Sequence, residues 1–228
     1  MEVSGMEFST IDFPKKASTV IFLSGCNFRC SYCHNLENIL KIKHSITVKE
    51  FLKRVDPLLT EAIVISGGEP TLQEEIIELA REAKDLGYLV KLDTNGTRPE
   101  IVSKILEYLD YIAIDVKCPF YKYRELTRCK ENEEEIKNKI LKTINLSLEA
   151  GVYVECRTTY IPKFMDSKDI EEIAKNINCN LYVIQQYDPT KAYDKRFREF
   201  PMPKREELEK LKEVAERYLT NVKIRCYW

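Results

Sequence analysis

The chain of 228 residues is 44% hydrophobic, enough to bury one sizeable core, and a single domain over residues 1–228 is expected. Its 36 basic and 37 acidic residues are intermingled, so no basic face awaits a phosphate backbone and nucleic acid is not an expected partner. The most apolar early run, TVIFLSG, is too short to span a bilayer and lacks the charged start and cleavage site of a signal peptide, which points to a cytoplasmic protein with no membrane partner.

After a polar N-terminal segment the first strand reads STVIFLS, followed by a cysteine-rich loop and a helical pattern, TVKEFLKRVDPLL. AIVISG is the second strand, and the helix TLQEEIIELAREAKDLG after it begins at Pro70 and Thr71 and ends at Gly87. YLVKLDTNG, YIAIDVK, VYVECRTTYIP and LYVIQQY are strands three to six. The helices RPEIVSKILEYL, NEEEIKNKILKTINLSLEAG and DSKDIEEIAKNI separate them. A last helix, PKREELEKLKEVAERYL, precedes a short terminal strand, VKIRC. Near-continuously apolar strands separated by helices imply a parallel sheet with right-handed crossovers. Six such units are too few to close an eight-stranded barrel, so the expected fold is α/β, a partial (βα)6 parallel barrel.

Parallel α/β sheets gather their ligands beyond the carboxyl ends of the strands. The unusual residues obey that rule. Cys26, Cys30 and Cys33 follow strand one; Gly67, Gly68, Glu69 and Pro70 follow strand two; Asp93, Thr94 and Asn95 end strand three; Asp115 and Lys117 end strand four. All four sets should face one rim.

Three thiolates spaced C-x-x-x-C-x-x-C can hold three irons of a 4Fe–4S cubane, and no fourth cysteine lies nearby, so one iron stays open to an exogenous ligand. The alternative is a Cys3His zinc site using His34 or His44, and with it a non-catalytic, zinc-stabilised interaction module. His34 directly follows Cys33 and would chelate awkwardly; His44 lies in a polar stretch. Cys118, Cys129, Cys156, Cys179 and Cys226 are scattered and read as ordinary buried thiols.

The cysteine loop after a first strand, with Tyr32 before the third cysteine and GGEP after the second strand, resembles the radical S-adenosylmethionine superfamily. More narrowly, CNFRCSYCHN, ISGGEPTLQ, LDTNG and AIDVKCPFYKYRELT are similar to glycyl-radical-enzyme activating proteins. Within those, STIDFPKKASTVIFLSGCNFRCSYCHN looks most like the activating proteins of anaerobic ribonucleotide reductases. The likeness runs from about Phe8 to Gln186.

The resemblance implies a partial barrel of the radical SAM type. It also implies that the open iron binds the amino and carboxylate groups of S-adenosylmethionine, and that one electron cleaves the cofactor to methionine and a 5'-deoxyadenosyl radical. Cys26, Cys30 and Cys33 would be the cluster ligands, with Phe28 shielding the cluster and Tyr32 and His34 beside the cofactor, Tyr32 near the adenine. Main-chain groups of Gly67, Gly68, Glu69 and Pro70 would meet its α-amino group, the glycines allowing close approach and Glu69 fixing the loop. Asp93, Thr94, Asn95, Asp115 and Lys117 would surround its ribose and methionine portion, and the two converging carboxylates suit a monovalent cation as well. Arg157 would either pair with the cofactor carboxylate or form a rim salt bridge, and Gln185 and Gln186 would close the adenine end.

The implied hydrogen donor is a backbone glycine of a glycyl radical enzyme, an anaerobic ribonucleotide reductase, with a small molecule or another glycyl radical enzyme as the alternative. The implied reductant is a ferredoxin or flavodoxin in an anaerobic cytoplasm. Residues 119–135 depart most from the pattern, carrying Arg128 and Cys129 where a small helix-breaking residue is expected.

Overall fold

Strict alternation along the strands sorts their side chains onto two faces. Ile21, Leu23, Ile63, Ile65, Val90, Leu92, Ile112 and Ile114 join the large core that the helices cover. Val20, Ala62, Val64, Tyr111 and Ala113 point the other way and, with Phe13, form a small separate apolar floor. Continuing along that second face, the same parity delivers Ser66, Asp93, Asp115 and Arg157 to the carboxyl ends, where they line a cavity. The strand pattern therefore builds an apolar floor beneath a polar rim.

The computed structural model describes residues 1–226; the last two positions of the expected domain lie outside the described residues. Among the described residues nine strands form one sheet: β1 (Glu2–Phe13), β2 (Lys16–Leu23), β3 (His44–Ser45), β4 (Ala62–Gly67), β5 (Leu89–Thr94), β6 (Tyr111–Asp115), β7 (Tyr153–Tyr160), β8 (Leu181–Gln186) and β9 (Val222–Arg225). Their order is β3-β1-β2-β4-β5-β6-β7-β8-β9. All pairs from β2 to β9 are parallel, as the alternating units require of a partial barrel. The helices are α1 (Leu36–Lys41), α2 (Val48–Leu52), α3 (Glu75–Asp85), α4 (Pro99–Ile105), α5 (Tyr123–Thr127), α6 (Glu133–Glu149), α7 (Ser167–Asn176), α8 (Lys195–Arg198) and α9 (Arg205–Ala215). Among the described residues no helix is long and apolar enough to cross a membrane.

Several elements differ from the sequence expectation. The polar N-terminal segment is a 12-residue strand, β1, antiparallel to β2 and flanked outside only by the two-residue β3; being half-exposed, it needs no continuous apolar run. The helix expected over residues 47–59 stops at Leu52, because Asp56 precedes Pro57, which disfavours helical backbone there, and its carboxylate accepts the Leu58 N–H instead. Pro70–Leu72 form only a 3₁₀ turn, and α3 starts at Glu75. The short helices α1, α5 and α8 have too few turns to show a period in the sequence. Arg128, where a small residue was expected, itself adopts the left-handed conformation that ends α5, with φ 52°.

Leu92 is fully buried between the sheet and its helices. Leu92→Ala should lower unfolding stability by about 2–5 kcal/mol, measured by anaerobic urea denaturation.

Candidate active site

The cysteine loop joins β2 to α1 and is held chiefly by backbone. The Gly25 N–H donates to the Ile39 carbonyl (2.8 Å), the Arg29 N–H to that of Thr127 (2.7 Å) and the Ser31 N–H to that of Leu126 (2.9 Å). Arg29 Nη1 donates to the carbonyls of Cys26 (2.6 Å) and Phe28 (2.8 Å), pinning the turn between the first two cysteines. Residues 126–129 thus back the loop, which gives the irregular 119–135 segment its place. Phe28 is buried edge-on to Tyr123.

Cys26, Cys30 and Cys33 line one cavity of about 280 Å³. All three are free thiols, and burial pushes Cys26 up to about 11 and Cys30 up to about 12. Such thiols ionise when they bind a metal. Among the described residues no three Cys, His, Asp or Glu side chains converge on a single ion. His34 Nε2 lies 2.8 Å from the Asp188 carbonyl, and His44 is exposed on β3, so neither completes a zinc tetrahedron. A cubane spreads its ligands over separate irons, and this donor set, three spaced thiols beside an open cavity, fits a 4Fe–4S cluster.

The GGEP turn locks the cysteine loop to the sheet. A Cβ on Gly68 would sit 1.9 Å from the Gly25 carbonyl oxygen, and one on Gly67 2.4 Å from the Leu23 backbone. Both glycines line the cavity, and the space their missing side chains leave is filled by the backbone of residues 22–25. The N–H groups of Gly68 and Glu69 donate to Leu23 and Gly25 carbonyls at 2.9 Å. Glu69 and Pro70 are buried behind the cavity. The Glu69 carboxylate accepts from Thr71 N–H (3.1 Å), Thr71 Oγ1, Thr94 Oγ1 (2.7 Å) and Asn95 N–H (2.7 Å). Burial raises its proton affinity, and these four donors oppose that rise. The Asn95 amide donates to Asn27 Oδ1 (2.8 Å) and accepts from Thr97 Oγ1 (2.6 Å), so it too holds the cysteine loop.

Opposite this turn lies a charged network. Arg157 Nε donates to Asp115 Oδ1 (2.7 Å), and its Nη1 lies 3.4 Å from Asp93 Oδ2. Lys117 Nζ donates to Asp115 Oδ2 (3.1 Å) and stands 5.9 Å from the centre of the Tyr32 ring. Lys91 Nζ is 3.1 Å from Asp93 Oδ1, which is buried and makes no aligned hydrogen bond. Burial would raise Asp115, but Arg157 and Lys117 outweigh it and hold the carboxyl at about 2. Asp93 is likewise lowered: its burial cost is exceeded by Arg157 and Lys91. The monovalent cation expected between these carboxylates is not supported here, since three side-chain cations already serve the two anions.

Comparison with known proteins shows the family to which the chain belongs. Residues 20–177 match the radical SAM superfamily. A Methanocaldococcus jannaschii protein provisionally named a glycyl-radical enzyme activating enzyme is 55% identical over 98% of this chain and 95% of its own. The chain belongs to the radical SAM superfamily, among glycyl-radical enzyme activating enzymes. The pyruvate formate-lyase-activating enzyme of Clostridium pasteurianum is 32% identical over 70% of each chain. A radical SAM methyltransferase structure from Sphaerobacter thermophilus shares the fold, with a TM-score of 0.73 at 16% identity over 97% of this chain and 69% of that one. The cofactors of this radical SAM enzyme are accordingly a 4Fe–4S cluster and S-adenosylmethionine.

Of the expected site residues, Tyr32, His34, Gly67, Gly68, Asp93, Thr94, Asn95, Asp115, Lys117, Arg157, Gln185 and Gln186 all line the cavity with the cysteines. The Gln186 amide also donates to the Pro203 carbonyl at 3.0 Å. Sequence reasoning missed Ser66, Lys91, Thr159, Tyr187 and Asp188. Strand alternation offered a signal for Lys91 and Ser66, each an even number of residues from a recognised neighbour. Tyr187 and Asp188 lie beyond β8 and gave no signal. Of the scattered cysteines, Cys118, Cys129 and Cys156 are buried, while Cys179 and Cys226 are half-buried; the Cys156 and Cys179 thiols are neighbours that shift one another, Cys156 upward and Cys179 downward, a proximity their separation in sequence concealed.

Glu69→Gln puts an amide donor where four donors already converge. It should cost about 1–3 kcal/mol in thermal unfolding and lower the iron retained per chain after reconstitution. Asp115, depressed from its ordinary 3.8 to about 2, contributes stability that is complete above about pH 4 and lost as pH falls through 2. In metal-free protein Asp115→Asn should therefore be less stable at pH 7 and show a flatter stability–pH slope between about pH 4 and 2.

Proposed function

We propose that this enzyme installs a glycyl radical on an anaerobic ribonucleotide reductase in the cytoplasm, drawing its electron from a ferredoxin or flavodoxin. What carries the reading is the juxtaposition of three free cysteines with the charged rim of one cavity, in a chain 55% identical to a provisionally named glycyl-radical enzyme activating enzyme. The choice of reductase rests on the opening stretch STIDFPKKASTVIFLSGCNFRCSYCHN, which forms the end of β1, all of β2 and the cysteine loop.

In this reading Cys26, Cys30 and Cys33 hold the cluster, and Phe28 excludes water from one side of it. Bound together, cluster and S-adenosylmethionine supply one-electron cleavage of a carbon–sulfur bond and abstraction of a hydrogen atom. Lys91, Lys117 and Arg157 exceed Asp93 and Asp115 by one positive charge, which suits the carboxylate of the cofactor's methionine portion. Lys117, already over Tyr32, is placed to exchange Asp115 for that carboxylate, while Asp115 keeps Arg157 in position. Thr94, Asn95, Gly67 and Gly68 form the opposite wall with their backbone, and Tyr32, His34, Gln185 and Gln186 frame the adenine end.

The test is anaerobic. The reconstituted enzyme, a chemical reductant, S-adenosylmethionine and a purified anaerobic ribonucleotide reductase should together give a glycyl-radical resonance and 5'-deoxyadenosine, both lost with Cys30→Ala. Cofactor cleavage without a radical on the reductase would reassign the target; no cleavage would overturn the reading.

A further inference from the structure

The cysteine loop is a wall with two sides. On its inner side lies the cavity already described. On its outer side a second opening of about 430 Å³ is also lined by Cys26 and Phe28, and its rim carries Arg29, Arg128, Lys130 and Glu131. Glu131 is neutralised by Lys139 at 2.7 Å. Arg128 and Arg196 share one acid, Asp194, at 2.7 and 2.9 Å. The rim is therefore cationic, although the whole chain has a formal charge of −1. Arg128 and Lys130 are exposed.

Chemistry separates the two sides. Cofactor and hydrogen donor both need the inner cavity, so a macromolecule that only delivers an electron does best on the other face. There Cys26 and Phe28 border both openings, and of the two only Cys26 carries a thiol. Transient redox contacts are small and depend on charge complementarity, which sets association rate more than affinity. We propose that the outer opening is the docking site of an acidic one-electron carrier protein, with Arg29, Arg128 and Lys130 as its charged rim and Cys26 as the point of entry. The step is a simple exchange: the carrier loses one electron, the cluster gains it, and no proton or bond is transferred. The proposal rests on the radical SAM reading of the inner cavity.

The variants are Lys130→Glu, Lys130→Arg and Arg128→Gly, the last removing charge while keeping a residue that tolerates φ 52°. The probe is a purified, reduced, acidic flavodoxin. Stopped-flow bleaching of the reconstituted cluster gives the reduction rate, and surface plasmon resonance gives binding, each at low and high salt. At low salt Lys130→Glu should slow reduction and weaken binding by about tenfold, Arg128→Gly by less, and Lys130→Arg should match the wild type. The differences should collapse at high salt. With titanium(III) citrate all variants should cleave S-adenosylmethionine and activate the protein substrate like the wild type. Equal flavodoxin rates in every variant would overturn the docking site. So would losses that persist with titanium, or a variant that binds flavodoxin normally but activates its protein substrate poorly, which would give this face to the substrate. A wild type that cleaves no cofactor with titanium would instead overturn the radical SAM reading itself.

Discussion

The close approach of two backbones, Gly67–Gly68 against residues 22–25, is the constraint on which the site depends. The cysteine loop has little regular structure of its own, and an irregular loop must borrow its geometry from a rigid neighbour. Here the neighbour is the end of β4, brought so near that Cβ atoms have no room. The buried Glu69 carboxylate then gathers donors from its own turn and from the end of β5. Through Asn95 and Asn27 the same network reaches back into the cysteine loop. Three strand ends thus become one body, and the three cysteines acquire fixed positions on it.

On the opposite wall the organising principle is charge alternation inside the barrel. Glu155, Lys91, Asp93, Arg157, Asp115 and Lys117 lie on β7, β5 and β6 and in the turn after β6, and the exposed Arg225 of β9 reaches Glu155, so that each charge has an opposite one beside it. Tyr111 links the lower and upper parts, donating to Glu155 and lying under Lys91. Charges so deep are tolerable only because each has an opposite partner within hydrogen-bond or ion-pair reach. The surplus falls at the rim, where a cofactor carboxylate would meet it. Stability of the barrel interior and recognition at its mouth therefore draw on the same set of side chains.

Much of this was legible in the sequence because it is local. The near-continuously apolar runs of the six core strands, the helix-length amphipathic stretches between them and the cysteine spacing are short-range patterns, and each maps onto an element of the fold. Strand-end residues such as Asp93, Asp115 and Lys117 could be assigned to one rim because parallel topology puts all carboxyl ends on the same side. The less legible parts lacked a period. β1 is polar on its exposed face, α1, α5 and α8 are too short, and Arg128 takes a backbone conformation that favours glycine.

By itself the sequence determined the alternating α/β order, the three-thiol donor set and the superfamily, since these depend on residue type and spacing alone. Only the tertiary structure decided what the partners of those residues are. It set Gly67 and Gly68 against the backbone of residues 22–25, and it bridged Asp93 and Asp115 with Arg157. It also set Cys26 between an inner cavity and a cationic outer opening. These outcomes join residues tens of positions apart. Such pairs meet only after the sheet has formed, so no local pattern in the chain encodes them.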